Sequence, residues 1–151
     1  MSSISKEAFY RERAKAYPFE DPEALIRYRR TIDWMNLDGP LAIREVGCKF
    51  SVIFDLLKGT GRPFDYKALD IDLETLQRIP GYDPARFVQH NANVDLPFED
   101  ASADYLVCLE VMEHLENPTH FLAEAKRVLK AGGKLVLSVP NAYSWMEWLD
   151  N

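Results

Sequence analysis

The chain predicts an α/β fold built on a mostly parallel, twisted sheet, and three observations carry that reading. A short apolar run without alternation at 105–109 and a second apolar run at 134–139 read as strands covered on both faces, and 41–46 reads as a further strand. Between strand-like runs lie segments whose apolar residues recur at helical spacing. The stretch 105–139 reads as strand, crossover helix and strand, which makes a right-handed βαβ unit. About five strands with helices on both faces and an N-terminal helical cover suit 151 residues in one domain.

The elements follow in order. Residues 4–17 suit a polar helix bearing Phe9 and Tyr10. Asp21 and Pro22 then open a clearer helix as N-cap and first helical residue. Leu25, Tyr28, Ile32 and Met35 form its apolar stripe, and Asp38-Gly39-Pro40 ends it. Residues 1–40 thus form a helical layer over one sheet face. Residues 41–46 are the first strand. Gly47 and Cys48 turn into a helix over 52–58, with Ser51 a candidate N-cap. Here a nucleotide-binding α/β protein brings its backbone close to the ligand and aims a helix N-terminus at it. Residues 66–71 are the second strand. Asp70 stands at its end, about 20 residues beyond the glycine turn, where an acidic side chain is placed to bind ribose hydroxyls. A short helix over 73–78 and a third strand over 86–90 follow.

The fourth strand, 105–109, ends in the acidic–histidine cluster Glu110, Glu113 and His114. The next helix spans 118–130, with Phe121, Leu122, Ala125, Val128 and Leu129 at helical spacing. Lys126, Arg127 and Lys130 lie at its negative dipole end. Gly132 and Gly133 are expected to stop it. The fifth strand, 134–139, ends at Pro140-Asn141, and 142–151 form an aromatic tail with Tyr143, Trp145 and Trp148.

Composition narrows the function classes. At 47% hydrophobic and 28% charged residues the chain has an ordinary globular make-up. The formal net charge of −6 and scattered Lys and Arg give no electrostatic footprint for nucleic acid. The polar start MSSISKEAFYRERAK is not a signal peptide, and no apolar run is long enough to span a bilayer. Cys48 and Cys108 read as small buried residues rather than a disulfide, so a reducing cytoplasm is the expected location.

The segments LPFEDASADYLVCLEVMEHL and FLAEAKRVLKAGGKLVLSVPN, in this order and spacing, resemble the second half of class I S-adenosylmethionine-dependent methyltransferases, in their broad type 11 branch. The resemblance covers about 41–141. It implies a Rossmann-like sheet of order 3-2-1-4-5, S-adenosylmethionine as cofactor and S-adenosylhomocysteine as product. It places the cofactor along Glu45, Gly47, Cys48 and Lys49, at Asp70 and Ile71, at Asn91 and Ala92, and at Leu109 and Glu110. Asn91, with Asn93 as fallback, would meet the adenine through its side-chain oxygen. N-terminal helices of the family often overlie the cofactor cleft, which would place Tyr10 and Tyr17 there. The family loop carries about three glycines. Here Lys49 and Ser51 stand in place of the second and third. Three outcomes are open for Lys49: it turns outward, it pairs with the cofactor carboxylate, or it blocks the pocket. The resembled fold has seven strands, and its last two would follow residue 141. The fifth strand is then an expected edge, covered by the aromatic tail or by a second copy of the chain.

Methyl transfer from a sulfonium asks the protein mainly for position and a dry pocket. Glu113 and His114 are the candidate base pair where the acceptor must lose a proton. The simpler alternative is that they cap the turn after strand four. Glu110, Glu113 and His114 also resemble an E-x-x-E-H metal cluster of methyltransferases acting on RNA ends or quinone precursors. That cluster needs a histidine after strand five, and none follows His120, so no metal is assigned. The leading function is methyl transfer to a small-molecule acceptor. The alternative is a non-catalytic binding or assembly module on the same fold. A nicotinamide-dependent oxidoreductase is disfavoured because no G-x-G-x-x-G turn occurs.

Overall fold

The computed structural model describes residues 22–141. Five strands form one sheet in the order β3-β2-β1-β4-β5. They are β1 (Leu41–Val46), β2 (Phe64–Asp70), β3 (Phe87–Gln89), β4 (Ala103–Leu109) and β5 (Leu129–Ser138). Every neighbouring pair is parallel, so all carboxyl ends meet at one end of the sheet. The helices are α1 (Pro22–Trp34), α2 (Val52–Gly59), α3 (Leu73–Gln77) and α4 (Pro118–Val128), with a 3-10 turn at Met112–His114.

Both sheet faces are covered, as continuous apolar strands require. Ile43, Tyr66, Phe87 and Val107 pack on one face against Ile53, Phe54 and Leu57 of α2, Leu76 of α3 and Met35 beyond α1. Val46, Leu69, Leu106 and Cys108 pack on the other against Phe121, Ala125 and Val128 of α4. The first face is aromatic: Phe54 meets Phe87 edge to face at 5.6 Å and Tyr66 at a tilt at 5.1 Å.

Two expectations are corrected. The helix expected to reach Lys130 ends at Val128, and Gly132 and Gly133 do not stop it. The carbonyls of Arg127 and Val128 are captured by the amides of Ala101 and Ser102, so the helical ladder cannot continue. Leu129 already pairs with Ala103, and the register then jumps so that Lys134 pairs with Tyr105. The glycines serve this bulge. Gly132 has φ +80°, and a Cβ on Gly133 would stand 3.0 Å from the Ala103 carbonyl oxygen. The second correction concerns Ser51, which does not cap α2: it has φ 60° and its side chain bonds elsewhere. The caps that do form are Asp72, which accepts from the Glu74 amide, and Asn117, which accepts from the His120 amide. The proposed helix 4–17, the Asp21 cap, Tyr10, Tyr17 and the aromatic tail all lie outside the described residues.

Candidate functional site at the carboxyl ends of the strands

The turn after β1 is tied to the end of β2. The amides of Gly47 and Cys48 both donate to the Leu69 carbonyl, at 2.8 and 3.1 Å. The Lys49 amide donates to Asp70 Oδ2 at 2.8 Å, and the Asp72 amide donates to Asp70 Oδ1 at 3.0 Å. Each Asp70 oxygen thus holds one backbone N–H and keeps a lone pair for a further donor, such as a ribose hydroxyl. Burial outweighs these bonds and raises the Asp70 carboxyl above its usual range. Asp72 is taken up by its cap, where it also accepts the Thr75 hydroxyl at 2.7 Å. That leaves Asp70 as the acidic group offered at this strand end. Ile71 stands beside it, and its carbonyl accepts from Gln89 Nε2 at 3.2 Å.

The loop holds left-handed backbone at Gly47 (φ 76°), Lys49 (φ 46°) and Ser51 (φ 60°). Lys49 and Ser51 adopt the conformation that glycine adopts without strain, at roughly 1–2 kcal/mol for each non-glycine residue. The Lys49 ammonium lies 5.4 Å from the centre of the Phe50 ring, within cation–π range. Gly47 is also required by contact, because a Cβ there would stand 2.2 Å from Val111 Cγ2. Val111 therefore covers the turn from the β4 side.

Beneath the loop, Tyr66 donates its hydroxyl to Glu45, and the Ser51 hydroxyl lies 3.3 Å from Tyr66 Oη. All three side chains are buried. Burial lifts the Glu45 carboxyl from 4.5 to about 8, opposed by the Tyr66 hydrogen bond and reinforced by the nearby Asp70 charge. The same burial pushes the Tyr66 phenol and the Cys48 thiol up, and carries the Cys108 thiol to about 12. Neither cysteine is a thiolate near neutrality.

The other expected residues fall into three groups. Asn91 Oδ1 accepts from both the amide and Nδ2 of Asn93, each at 3.0 Å, and Asn93 Oδ1 holds the Glu116 amide at 2.7 Å. In this conformation the Asn91 amide nitrogen, not its oxygen, is the group available to a ligand. Ala92 beside it is buried. Leu109 closes β4, and Glu110 follows with φ 54°. Glu110 Oε1 accepts the Ser138 hydroxyl at 2.7 Å and faces the Arg27 guanidinium at 3.2 Å. Glu113 and His114 sit together on the 3-10 turn, 3.7 Å apart. Among the described residues no three His, Cys, Asp or Glu side chains converge to hold a metal ion.

Tyr66, Val111, Arg27 and Ser138 were not singled out from the sequence as site residues. One signal was available. Glu45 lies in an apolar strand and needs a donor. Tyr66 is the polar-tipped residue on the buried face of the neighbouring strand.

A carboxylate at the end of β2, joined to a left-handed turn after β1, defines a cofactor-binding α/β domain of the nucleotide-binding kind. Residues 44–137 match the family described as methyltransferase domain, and the chain belongs to that family. A protein of Mycolicibacterium smegmatis named as a probable S-adenosylmethionine-dependent methyltransferase is 33% identical over 99 residues, covering 66% of this chain and 38% of that protein. Phthiotriol/phenolphthiotriol dimycocerosates methyltransferase 1 of Mycobacterium ulcerans is 35% identical over 115 residues, covering 72% and 41%. The chain therefore spans less than half the length of these relatives. A chain from the Haloferax volcanii complex between the Trm112 methyltransferase activator and a methyltransferase superposes with TM-score 0.72 at 23% identity, covering 92% of this chain and 62% of that one.

Proposed function

We propose that this chain is the cofactor-binding part of an S-adenosylmethionine-dependent methyltransferase that acts on a small-molecule acceptor. The observation that carries the proposal is the loop after β1. It keeps left-handed backbone at Lys49 and Ser51, the two positions where the family pattern has glycine, and it delivers the Lys49 amide to Asp70. The Mycobacterium ulcerans relative, named for phthiotriol and phenolphthiotriol dimycocerosates, supports a small-molecule acceptor.

S-adenosylmethionine, when bound, supplies a methyl group on a sulfonium that is open to in-line displacement. Asp70 would accept the ribose hydroxyls. Glu45, Gly47, Cys48 and Lys49 would line the turn, and Ile71, Asn91, Ala92, Leu109 and Glu110 the remaining strand ends. The 3-10 turn would present His114, paired with Glu113, as base toward an acceptor that must lose a proton. The outer edge of β5 has no strand partner among the described residues, which supports pairing with a second copy. Both cysteines are free and buried, which supports a reducing cytoplasm. Among the described residues no helix is long and apolar enough to cross a membrane.

A second reading, a non-catalytic module on the same fold, draws on the closeness of Val111 to Gly47 and on the lysine in the loop. Calorimetric titration with S-adenosylmethionine and S-adenosylhomocysteine, with NAD as control, separates the two. The methyltransferase reading expects micromolar binding of both sulfur ligands, lost in Asp70→Ala. A folded chain that binds neither at millimolar concentration would sink it.

A further inference from the structure

A cleft of about 270 Å³ lies between α1 and the ends of β4 and β5. Ile26, Arg27, Arg30, Trp34, Leu137 and Ser138 line it. The cleft has an apolar side and a cationic side. Trp34 is 72% exposed, Ile26 53% and Leu137 38%, so three large apolar side chains open onto solvent at one place. Arg27 and Arg30 stand one helical turn apart on α1 and face the same space.

The arginines are not fully used within the fold. Arg27 Nε is buried and has no hydrogen-bond partner among the described residues. Arg27 Nη1 reaches Glu110 Oε1 at 3.2 Å, but that oxygen is already shared with the Ser138 hydroxyl. Thr31 also lines the cleft, but its hydroxyl is occupied, donating to the Arg27 carbonyl at 3.1 Å. Among the described residues, two guanidinium groups stand against one carboxylate, Glu110. A buried guanidinium donor without a partner asks for an oxyanion, and its planar fork suits a carboxylate.

We propose that this cleft binds a monocarboxylate with an apolar or aromatic body, its carboxylate on Arg27 and Arg30 and its body against Trp34, Ile26 and Leu137. The cleft opens beside Leu109 and Glu110, at the same sheet end as the candidate cofactor site. As a description of the methyl acceptor the inference rests on the methyltransferase reading; as a binding site it does not.

The test is calorimetric titration of the full chain with 4-phenylbutyrate, 4-phenylbutan-1-ol and 3-phenylpropyl phosphate, with and without S-adenosylmethionine. The carboxylate is expected to bind about tenfold more tightly than the alcohol, and Arg30→Ala to remove that margin, because the preference is carried by a charge-assisted pair. Arg30→Lys should restore part of it. Arg30 is exposed, so its variants keep the fold where Arg27→Ala could disturb Glu110. Equal binding of carboxylate and alcohol, tighter binding of the phosphate, or an unchanged Arg30→Ala would each overturn the proposal. Phenylbutyrate binding through Arg30 in a chain that ignores S-adenosylmethionine would sink the methyltransferase reading and leave the cleft standing. Cofactor binding without phenylbutyrate binding would sink the cleft alone.

Discussion

The two ends of the sheet are built by opposite rules. At the amino end, charges are paired and the backbone is satisfied by its neighbours. Arg127 donates to Glu124, to Asp100 and to the carbonyls of Leu96 and Phe98, while Glu124 also holds the Leu96 amide. Asp104 joins the Ala42 amide to Lys130 at 2.8 Å each. At the carboxyl end, the buried Glu45 and the half-buried Asp70 lie near each other with no ion pair to either among the described residues, and three non-glycine residues, Lys49, Ser51 and Glu110, hold left-handed backbone. Only one other described non-glycine residue does so, Ala101 in an exposed turn. Strain and unbalanced charge persist where the surrounding structure over-determines them, and such places gather at functional sites. The amino end is held by paired charges, and the carboxyl end keeps strained backbone around weakly compensated acids.

The largest effect expected from this contrast is at Arg127. Arg127→Ala leaves Glu124 buried without its cation and should lower unfolding stability by about 3 kcal/mol in a denaturant titration. Cofactor affinity of the folded fraction should not change. Gly47→Ala should act the other way round. Its Cβ meets Val111 and its backbone is left-handed, so cofactor affinity should fall at least about tenfold, with a stability loss of about 2 kcal/mol. Adding Val111→Ala should recover the part due to contact and not the part due to backbone.

The ends also differ in the sign of their pH dependence. Arg127 holds the Glu124 carboxyl down at about 2, from 4.5, so its contribution is complete above about pH 4.5 and is lost as pH falls toward 2. Glu45 is raised to about 8, so the folded chain keeps a proton that the unfolded chain releases above about 4.5, and stability falls as pH rises from there to about 8. Glu45→Gln should flatten that alkaline decline, which a single such group can make as steep as about 1.4 kcal/mol per pH unit. Thermal melts between pH 5 and 9 would read it (roughly the window in which this one group titrates). An unchanged decline would show that Glu45 is not the source. The smallest effect is expected for Lys49→Gly, which should stabilise the chain by about 1 kcal/mol by relieving left-handed strain. A loss of stability instead would mean that the contact with Phe50 outweighs the strain.

Much of this contrast was legible in the sequence, for reasons that differ by region. The strand at 105–109 was readable because an unbroken apolar run bounded by polar turns admits few other structures, and β1 also falls where it was expected, at 41–46. The place of Asp70 at the end of β2 was readable because it follows from where the strand stops. The end of α4 was not, because it is set by a distant event, the capture of the Arg127 and Val128 carbonyls by residues 101–102. Two adjacent glycines look like a helix stop, yet here they shape a bulge against Ala103. Ser51 looked like a cap because serine before a helix usually is one, but the loop places it in left-handed backbone and turns its hydroxyl to Tyr66. The partners of Glu110 were hidden for the same reason: Arg27 and Ser138 are far from it in the chain and meet it only in the folded sheet.

The most direct test of the central claim is hydrogen exchange with and without S-adenosylhomocysteine. The account predicts new protection at 47–51, 70–72 and 91–93, the backbone of the carboxyl end. It predicts no change at 96–104, where Arg127 and Lys130 already hold the chain. Protection confined to the amino end, or none at saturating ligand, would contradict it.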